Sequence, residues 1–577
     1  MKKSTLTLFG SLSLLTLAPQ TLAQTPLTEA RHLFNNPIAQ QTDPNQDRFI
    51  QPSDQLPQPL GDDDILMTPE TFDTSDLDNT TPITINNIIL EGNTVFTRED
   101  LMPMVSEITG PTTIGAINRA IAAITAQYVN AGYITSRAVL PAQPLDQGEI
   151  TILVLEGTLT DVDITGLERL NPEYVRSRVN LGRTTPFNAN ALEDQLRLLN
   201  NDPNIADLNI DLQSSEELGT SRLALDIEES KPWFGSIFTD NYSAESVGSE
   251  RIGANVGYRN LAGMGDALRL GYTRTYSGGY HAWDFGYNIP LNPMNGTLDL
   301  RVVLDRHKIT LPPFDALNIR GRSQLYDLSF RQPLIRNPRE EFALSLGFSR
   351  KTGRTFLFND IGTPFGIGAE ADGTTRTSVI RFSQDYLRRD TKGAWSGRSQ
   401  FNLGIDALGI TRNDGPIPDG HFFSWAGQVA RVQQLDRNNR LILQGDFQLT
   451  PDNLLASETF SIGGGQTLRG YRQGARSGDN GWRFSAENRF TVARSNVGKN
   501  LFQIAPFFDM GAVWNNPSNP AQIRSDHLLA GLGLGFLWIS QPNFTARVDV
   551  TLPLMNMSDR ATNLQDDGIY LSLNYQF

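Results

Sequence analysis

The side chains that most often do chemistry are thinly spread in this sequence. There is no cysteine, which removes thiolate metal sites, a cysteine nucleophile and any disulfide framework. The five histidines, His32, His281, His307, His421 and His527, never come closer than 26 residues, so no local histidine metal motif is expected. The glycine-rich stretch Ile462 to Gly470 resembles a phosphate cradle but lacks the Gly-Lys-Ser/Thr ending and an obvious following helix. Asp62-Asp63-Asp64 lacks the later glutamate of a calcium loop and reads as a solvated charge run. A net charge of −14 and the absence of any Lys/Arg block exclude a dedicated nucleic-acid binder. The expectation is no enzyme, no metal, no cofactor and no small-molecule substrate. What remains is charge in unusual places: Arg547 and Asp549 fall on the inner face of an alternating strand, where a dry core would make them costly. Arg469, by its own neighbours, reads as a solvated loop residue.

The elements that must position these charges are strands. From Lys231 to Phe577, 347 residues, short segments alternate apolar with polar or glycine and are separated by turn-rich stretches. Phe544, Ala546, Val548, Val550 and Leu552 alternate with Thr545, Arg547, Asp549 and Thr551; Ile569, Leu571, Leu573, Tyr575 and Phe577 alternate with Tyr570, Ser572, Asn574 and Gln576. Opposite Leu532, Leu534, Phe536 and Trp538 stand Gly531, Gly533 and Gly535, where something bulky can approach the backbone. A β-sandwich would also alternate. Ionised inward residues, the length of the region and aromatics at the ends of the apolar bands favour a transmembrane β-barrel, and ~22 residues per strand and connection gives about 16 antiparallel strands. Closure satisfies every backbone polar group without a helix.

Residues 83 to about 229 carry two α+β units, each running strand, helix, helix, strand, strand. In the first, Ile83 to Leu90 form a strand, Thr97-Arg98-Glu99-Asp100 forms an acidic capping box, and Ile114, Ile117, Ile121, Ile124 and Tyr128 make one helical stripe. Gly132 ends that helix, and strands Ile134 to Leu140 and Glu149 to Glu156 complete the unit. The second repeats the plan with a strand Leu159 to Thr165, a helix Pro172 to Val179, a helix with Leu192, Leu196 and Leu199, then Leu208 to Leu212 and Leu223 to Ile227. Residues 24–80 are rich in Gln, Pro, Asp and Asn and read as a periplasmic linker with one short helix around Leu27 to Phe34. Met1-Lys2-Lys3, the apolar run Leu6 to Ala18 and Thr21-Leu22-Ala23 form a secretory signal, residues 1–23.

The order of motifs carries a resemblance. Tyr128-x-x-x-Gly132-Tyr133-Ile134-Thr135-Ser136-Arg137-x-x-Leu140-Pro141-x-Gln143, followed by Gly148 and Val154-Leu155-Glu156-Gly157, closely resembles the first polypeptide-transport-associated (POTRA) module of two-partner secretion transporters, the haemolysin secretion/activation family. The resemblance continues with Asp240-Asn241, Asn260-Leu261-x-Gly263-x-Gly265-Asp266, Gly463-Gly464-Gly465-x-x-Leu468-Arg469-Gly470-Tyr471 and Phe507-x-Asp509-x-Gly511. It implies POTRA 1 at 81–158, POTRA 2 at 159–230 and a 16-stranded outer-membrane barrel at 231–577, with a loop near 461–480 folded into the lumen. It further implies that Arg469 pairs with Asp509 on the barrel wall, and that Tyr575 and Phe577 form the terminal signal read by the barrel assembly machinery. The implied function is export of one large, unfolded exoprotein through a barrel set in outer-membrane lipid, without ATP. The first loop position, usually Val in the family, is Leu468 here, a conservative change. An amino-terminal helix plugs the pore in a family member, whereas residues 24–80 show no long amphipathic pattern. The alternative reading is an insertase that assembles other outer-membrane barrels; a passive porin would lack the tandem modules.

Overall fold

The computed structural model describes residues 79–577 except 145–146, 216–218, 359, 496–499, 522, 524–526 and 541–542. The expected signal, linker, short helix and plug question all fall at residues 1–78 and lie outside the described residues.

In the first module, β1 (Pro82–Ile85) and β2 (Asn87–Glu91) precede α1 (Arg98–Val105), which starts where Thr97 and Asp100 cap each other reciprocally: the Thr97 side chain accepts from the Asp100 amide and the Asp100 carboxylate accepts from the Thr97 amide. After β3 (Gly110–Thr113), the stripe on α2 (Ile114–Asn130) buries Ile117, Ile124 and Tyr128 against β4 (Arg137–Val139) and β5 (Glu149–Leu155). The sheet order is β2-β5-β4, with β2 parallel and β4 antiparallel to β5. Two details depart from the sequence expectation. The first strand divides at Asn86, because β1 leaves the sheet to pair with β3, whose Gly-Pro-Thr-Thr text carries no strand signal. The strand expected over Ile134 to Leu140 shrinks to β4, because Gly132, at φ 93°, and a turn bond from Ser136 N–H to the Tyr133 carbonyl occupy its start.

The second module repeats the plan with β6 (Thr158–Thr165), α3 (Pro172–Val179), α4 (Ala189–Asn200), β7 (Ile205–Ser214) and β8 (Thr220–Glu229), ordered β6-β8-β7 around a core that includes Val175, Phe187, Leu192 and Leu196. The repeat extends to one carboxylate per module. Glu156, just beyond β5, accepts from the amides of Thr94 and Val95 and from the Tyr128 hydroxyl at 2.8 Å; Glu229, at the end of β8, accepts from the amides of Glu168, Arg169 and Leu170 at 2.7–2.8 Å. Each ties the loop after the first strand to the end of the last.

The modules are joined closely. Gly132 leaves no room for a Cβ, which would lie 2.5 Å from Asn190, and its carbonyl accepts from the Ala189 N–H that opens α4. The second module in turn docks on the near end of the barrel. The turn Asn260 to Asp266 is braced by the Asp266 carboxylate, which accepts from Ala262 N–H and the Tyr287 hydroxyl, and it receives the Tyr174 ring over Gly265, where a Cβ would be 2.3 Å away. Asn171 N–H bonds the Gly263 carbonyl, and Arg178, stacked on Tyr174, reaches Asn295 on the next turn.

Among the described residues sixteen antiparallel strands, from Trp233–Asp240 to Ile569–Gln576, close into one barrel, and the last pairs with the first. The alternation is inverted relative to a water-soluble core. Outward residues such as Leu552, Val550, Leu573 and Trp538 are exposed and apolar, while the inward Asp549, Thr551 and Gln444 are buried. Among the described residues no helix is long and apolar enough to cross a membrane; the outward apolar belt of the barrel is the surface that suits lipid.

The module carboxylates make a pH prediction. Burial pushes Glu229 up, but the three amide donors and Arg169 outweigh it and hold the carboxyl below its ordinary value of 4.5. Its stabilisation is therefore complete above about pH 4.5 and is lost as pH falls through the lower folded value. In the intact protein, Glu229→Gln is expected to speed hydrogen exchange at Glu168, Arg169 and Leu170 at neutral pH; unchanged protection would contradict the assignment.

Candidate functional site

Between the strands Asn439–Leu449 and Asn480–Arg494 the chain does not make a short turn. It forms a hairpin, Phe460–Ile462 paired with Arg476–Gly478, whose tip, residues 463–475, turns back into the barrel. Gly463 and Gly464, at φ 109° and 111°, begin the reversal, and Thr467 Oγ1 donates back to the Gly463 carbonyl. An apolar underside formed by Leu468, Tyr471 and Ala475 packs on Phe460, Val513 and Leu529. Leu468 is fully buried there, so the longer side chain at this position is accommodated as an apolar anchor.

Arg469 extends from the tip to the wall. Its Nε and Nη2 bond the two oxygens of Asp509 at 2.7 and 2.9 Å, and its own backbone N–H reaches Asp509 at 3.1 Å. Its Nη1 bonds Glu487 at 2.7 Å, and the guanidinium plane lies 3.3 Å from the centroid of the Phe507 ring. Ser485 Oγ donates to the far Asp509 oxygen. Arg547 bridges Glu487 at 2.6 Å and Asp549 at 2.9 Å, and Arg489 bonds the other Glu487 oxygen. Three arginines thus face three carboxylates, and the knot is neutral as a whole. The forked geometry is what makes a buried guanidinium tolerable: its desolvation is offset only where bidentate acceptors surround it.

The neighbouring strand Leu528–Ser540 supplies the space. A Cβ on Gly531 would sit 2.2 Å from the Arg469 carbonyl oxygen, one on Gly533 would meet the Phe507 ring at 2.5 Å, and one on Gly535 would meet the Asp549 carboxylate at 2.5 Å. The glycine row is therefore the bed on which the knot lies. Gly511 similarly lets the strand carrying Arg483 approach.

The structure brings Leu468, Arg469, Gly470, Tyr471, Phe507, Asp509 and Gly511 together at one place on the barrel. It places the first-module residues elsewhere and separates them by role. Tyr128 is core, edge-on to Phe96 and bonded to Glu156; Tyr133 packs beside it; Gly132 is at the module junction; Arg137 is exposed on the edge strand β4. Pro141 leads to Gln143, whose side-chain amide pairs with Thr151 of β5 in both directions at 2.8 Å, where a continued β4 would have placed the backbone of residue 141. Tyr575 and Phe577 face outward on the closing strand, and Phe577 exchanges backbone bonds with Gly235 of the first strand. Glu487, Arg489 and Ser485 escaped the sequence reading, although their alternation along one strand with outward Phe484 and Phe490 is the same signal that singled out Arg547 and Asp549.

A barrel of sixteen strands closed around a polar lumen, an inward loop fixed by an arginine and a pair of α+β modules at one mouth place the chain in the POTRA-barrel class of outer-membrane proteins. The family of haemolysin secretion/activation proteins ShlB/FhaC/HecB matches residues 219–537, and the ShlB-type POTRA domain matches residues 83–157, so the chain belongs to that family of two-partner secretion transporters. Its barrel lies in the outer membrane and its modules in the periplasm. It is 23% identical to the hemolysin transporter protein ShlB of Serratia marcescens over 78% of this chain and 79% of the relative. It is 20% identical to the heme/hemopexin transporter protein HuxB of Haemophilus influenzae over 84% and 86%. Its fold is similar to that of CdiB from Escherichia coli, with a TM-score of 0.67 at 20% identity over 89% of this chain and 93% of that one. It is also similar to BamA from Haemophilus ducreyi lacking POTRA domains 1–3, with a TM-score of 0.52 at 13% identity over 86% and 100%.

The glycine bed gives a direct test. Gly531→Ala puts a methyl group into the Arg469 backbone, an overpacking of about 1–3 kcal/mol, which shifts the docked loop toward release by about tenfold for each 1.4 kcal/mol. If the docked loop occludes the pore, planar-bilayer recordings should show longer open times with the barrel still folded; traces identical to the parent would contradict a loop that both rests on Gly531 and occludes the pore.

Proposed function

We propose that this transporter exports one large exoprotein as an unfolded chain, that the modules capture it by strand addition, and that the Arg469 loop is the movable element inside the conducting lumen. The observation that carries the reading is the attachment of the loop: apart from its apolar anchors it is held by ionic and hydrogen-bonding groups that water can replace when the loop leaves. No nucleotide motif occurs in the sequence, and the periplasm holds no ATP, so the drive comes from the cargo, which folds outside and cannot return. Capture is supported by the free edge of the first-module sheet. Beyond the three residues of β4, the edge of β5 at Thr151 is met, among the described residues, by the Gln143 side chain, and an extended chain could take up the same Thr151 donor and acceptor. Main-chain pairing of this kind makes no strict demand on sequence, which suits a passenger threaded past it. The apolar belt would sit in outer-membrane lipid, and Tyr575 and Phe577, exposed at the end of the closing strand, would be read by the barrel assembly machinery during biogenesis.

Two measurements test this. Arg469→Ala leaves Asp509, Glu487 and Asp549 facing only Arg547 and Arg489; it should leave the barrel inserted and heat-modifiable but lower the amount of exoprotein in the medium by about tenfold or more, in line with the 3–5 kcal/mol that breaking a buried pair costs. Undiminished export would remove the loop from the mechanism. Deleting the gene should remove a single large secreted protein from the medium, whereas a general loss of outer-membrane barrels would instead indicate an insertase.

A further inference from the structure

Three strands along the wall from Asp509 lies a second attachment. Tyr570, fully buried on the lumenal face of the last strand, uses its hydroxyl completely: it accepts from the amides of Gly470 and Tyr471 at 2.9 and 2.8 Å and donates to the Tyr471 carbonyl at 2.6 Å. From the last extracellular loop, residues 554–568, Asp559 bridges Arg472 and Arg476 at 2.6 and 2.9 Å, and Asp566 takes Arg472 at 3.2 Å. Gln565, in the same loop and fully buried, uses both N–H donors and its carbonyl oxygen. Its Oε1 accepts from Gln473 N–H at 3.0 Å, and its Nε2 donates to the carbonyls of Asn241 and, at 2.7 Å, Ser243.

Asn241 and Ser243 belong to the other side of the barrel seam. The first and last strands pair from Gly235–Phe577 to Asp240–Ser572, and one further backbone bond, from Asn241 N–H to the Leu571 carbonyl at 3.2 Å, ends the main-chain seam. Above that point Asn241 continues the seam with its side chain: Leu571 N–H donates to Asn241 Oδ1, and Asn241 Nδ2 donates to the Ile569 carbonyl, both at 2.9 Å. The amide stands in for a strand residue. Gln565 then closes a triangle between the inward loop, the last hairpin and the extension of the first strand.

We propose that Gln565 and Asn241 are positioning residues that couple the seat of the Arg469 loop to the extracellular end of the barrel seam, so that the loop leaves its seat when this latch opens. The importance of the latch for export rests on the reading above that the loop moves; the latch itself does not. A buried amide left without its partners is costly, and the same cost opposes separate movement of the three elements. The Asn241 side chain bonds the last strand and not the loop, so its effect on the loop is indirect, through the seam, Gln565 and the adjoining Tyr242 that packs beside Gly465.

The chain has no cysteine, so Gln466→Cys, at the loop tip facing the lumenal cavity, can carry one nitroxide label in the full-length protein. The label should be immobilised in the otherwise unaltered chain. Gln565→Met, nearly equal in volume, and Asn241→Leu should each raise the mobile fraction about tenfold, the effect of losing one or two buried hydrogen bonds, while the barrel stays heat-modifiable. A label as immobile in Gln565→Met as in the parent overturns the proposal, and a label freed by Gln565→Met but unmoved by Asn241→Leu overturns the coupling through the seam. Export measured separately on Arg469→Ala tests the loop's role, so that either can fail without the other.

Discussion

The structure depends on how a guanidinium can be held inside a barrel without becoming either too costly or permanent. Arg469 is buried, and a lone buried cation would not be tolerated. Asp509 meets it with both oxygens, Glu487 takes a third N–H, Phe507 lies beneath its plane, and Arg547 and Arg489 restore neutrality to a cluster of carboxylates that would otherwise repel one another. Every partner in this knot is a side chain on a rigid wall. The contact is therefore specific in geometry and reversible in kind, since each group could be solvated if the loop moved and the lumen filled with water.

That requirement explains features that otherwise look unrelated. The glycine row of the strand Leu528–Ser540 would weaken an ordinary sheet, but here each missing side chain is occupied by part of the knot: the Arg469 carbonyl, the Phe507 ring and the Asp549 carboxylate. The outward face carries the apolar residues because the inward face cannot. At the periplasmic mouth, the turn Asn260 to Asp266 receives Tyr174, so the second module sits against the barrel, and Gly132 brings the first module against the second. On the proposed capture mode, a chain bound at the edge of the first module would thereby be kept near the entrance.

Much of this was legible in the sequence wherever a period or a charge repeated. Alternation in Phe544 to Leu552 and Ile569 to Phe577 specified strands with a wet inner side, and the spacing of Ile117, Ile124 and Tyr128 specified a helix lying on a sheet. Arg469 was legible only through its resemblance to a family motif, because a loop arginine has no periodicity to reveal that it is buried. Glu487 and Arg489 could have been found from the strand that holds them. Gln565 could not, since its partners are backbone groups 92 to 324 residues away and an isolated amide side chain in a turn looks like solvent-facing text; Asn241 was marked only by the motif Asp240-Asn241, which does not reveal its partners on the last strand. The division of the first strand at Asn86 was similarly hidden, because its partner Gly110–Thr113 is four residues long and opens with Gly-Pro, which reads as a turn.

The most direct measurement is a double-mutant cycle on export with Arg469→Ala, Asp509→Ala and the pair together. If the arginine acts through its fork on Asp509, either single change removes the shared contact and the double variant exports about as much as the worse single one. Losses that multiply, as they would for two residues acting independently, would contradict the account.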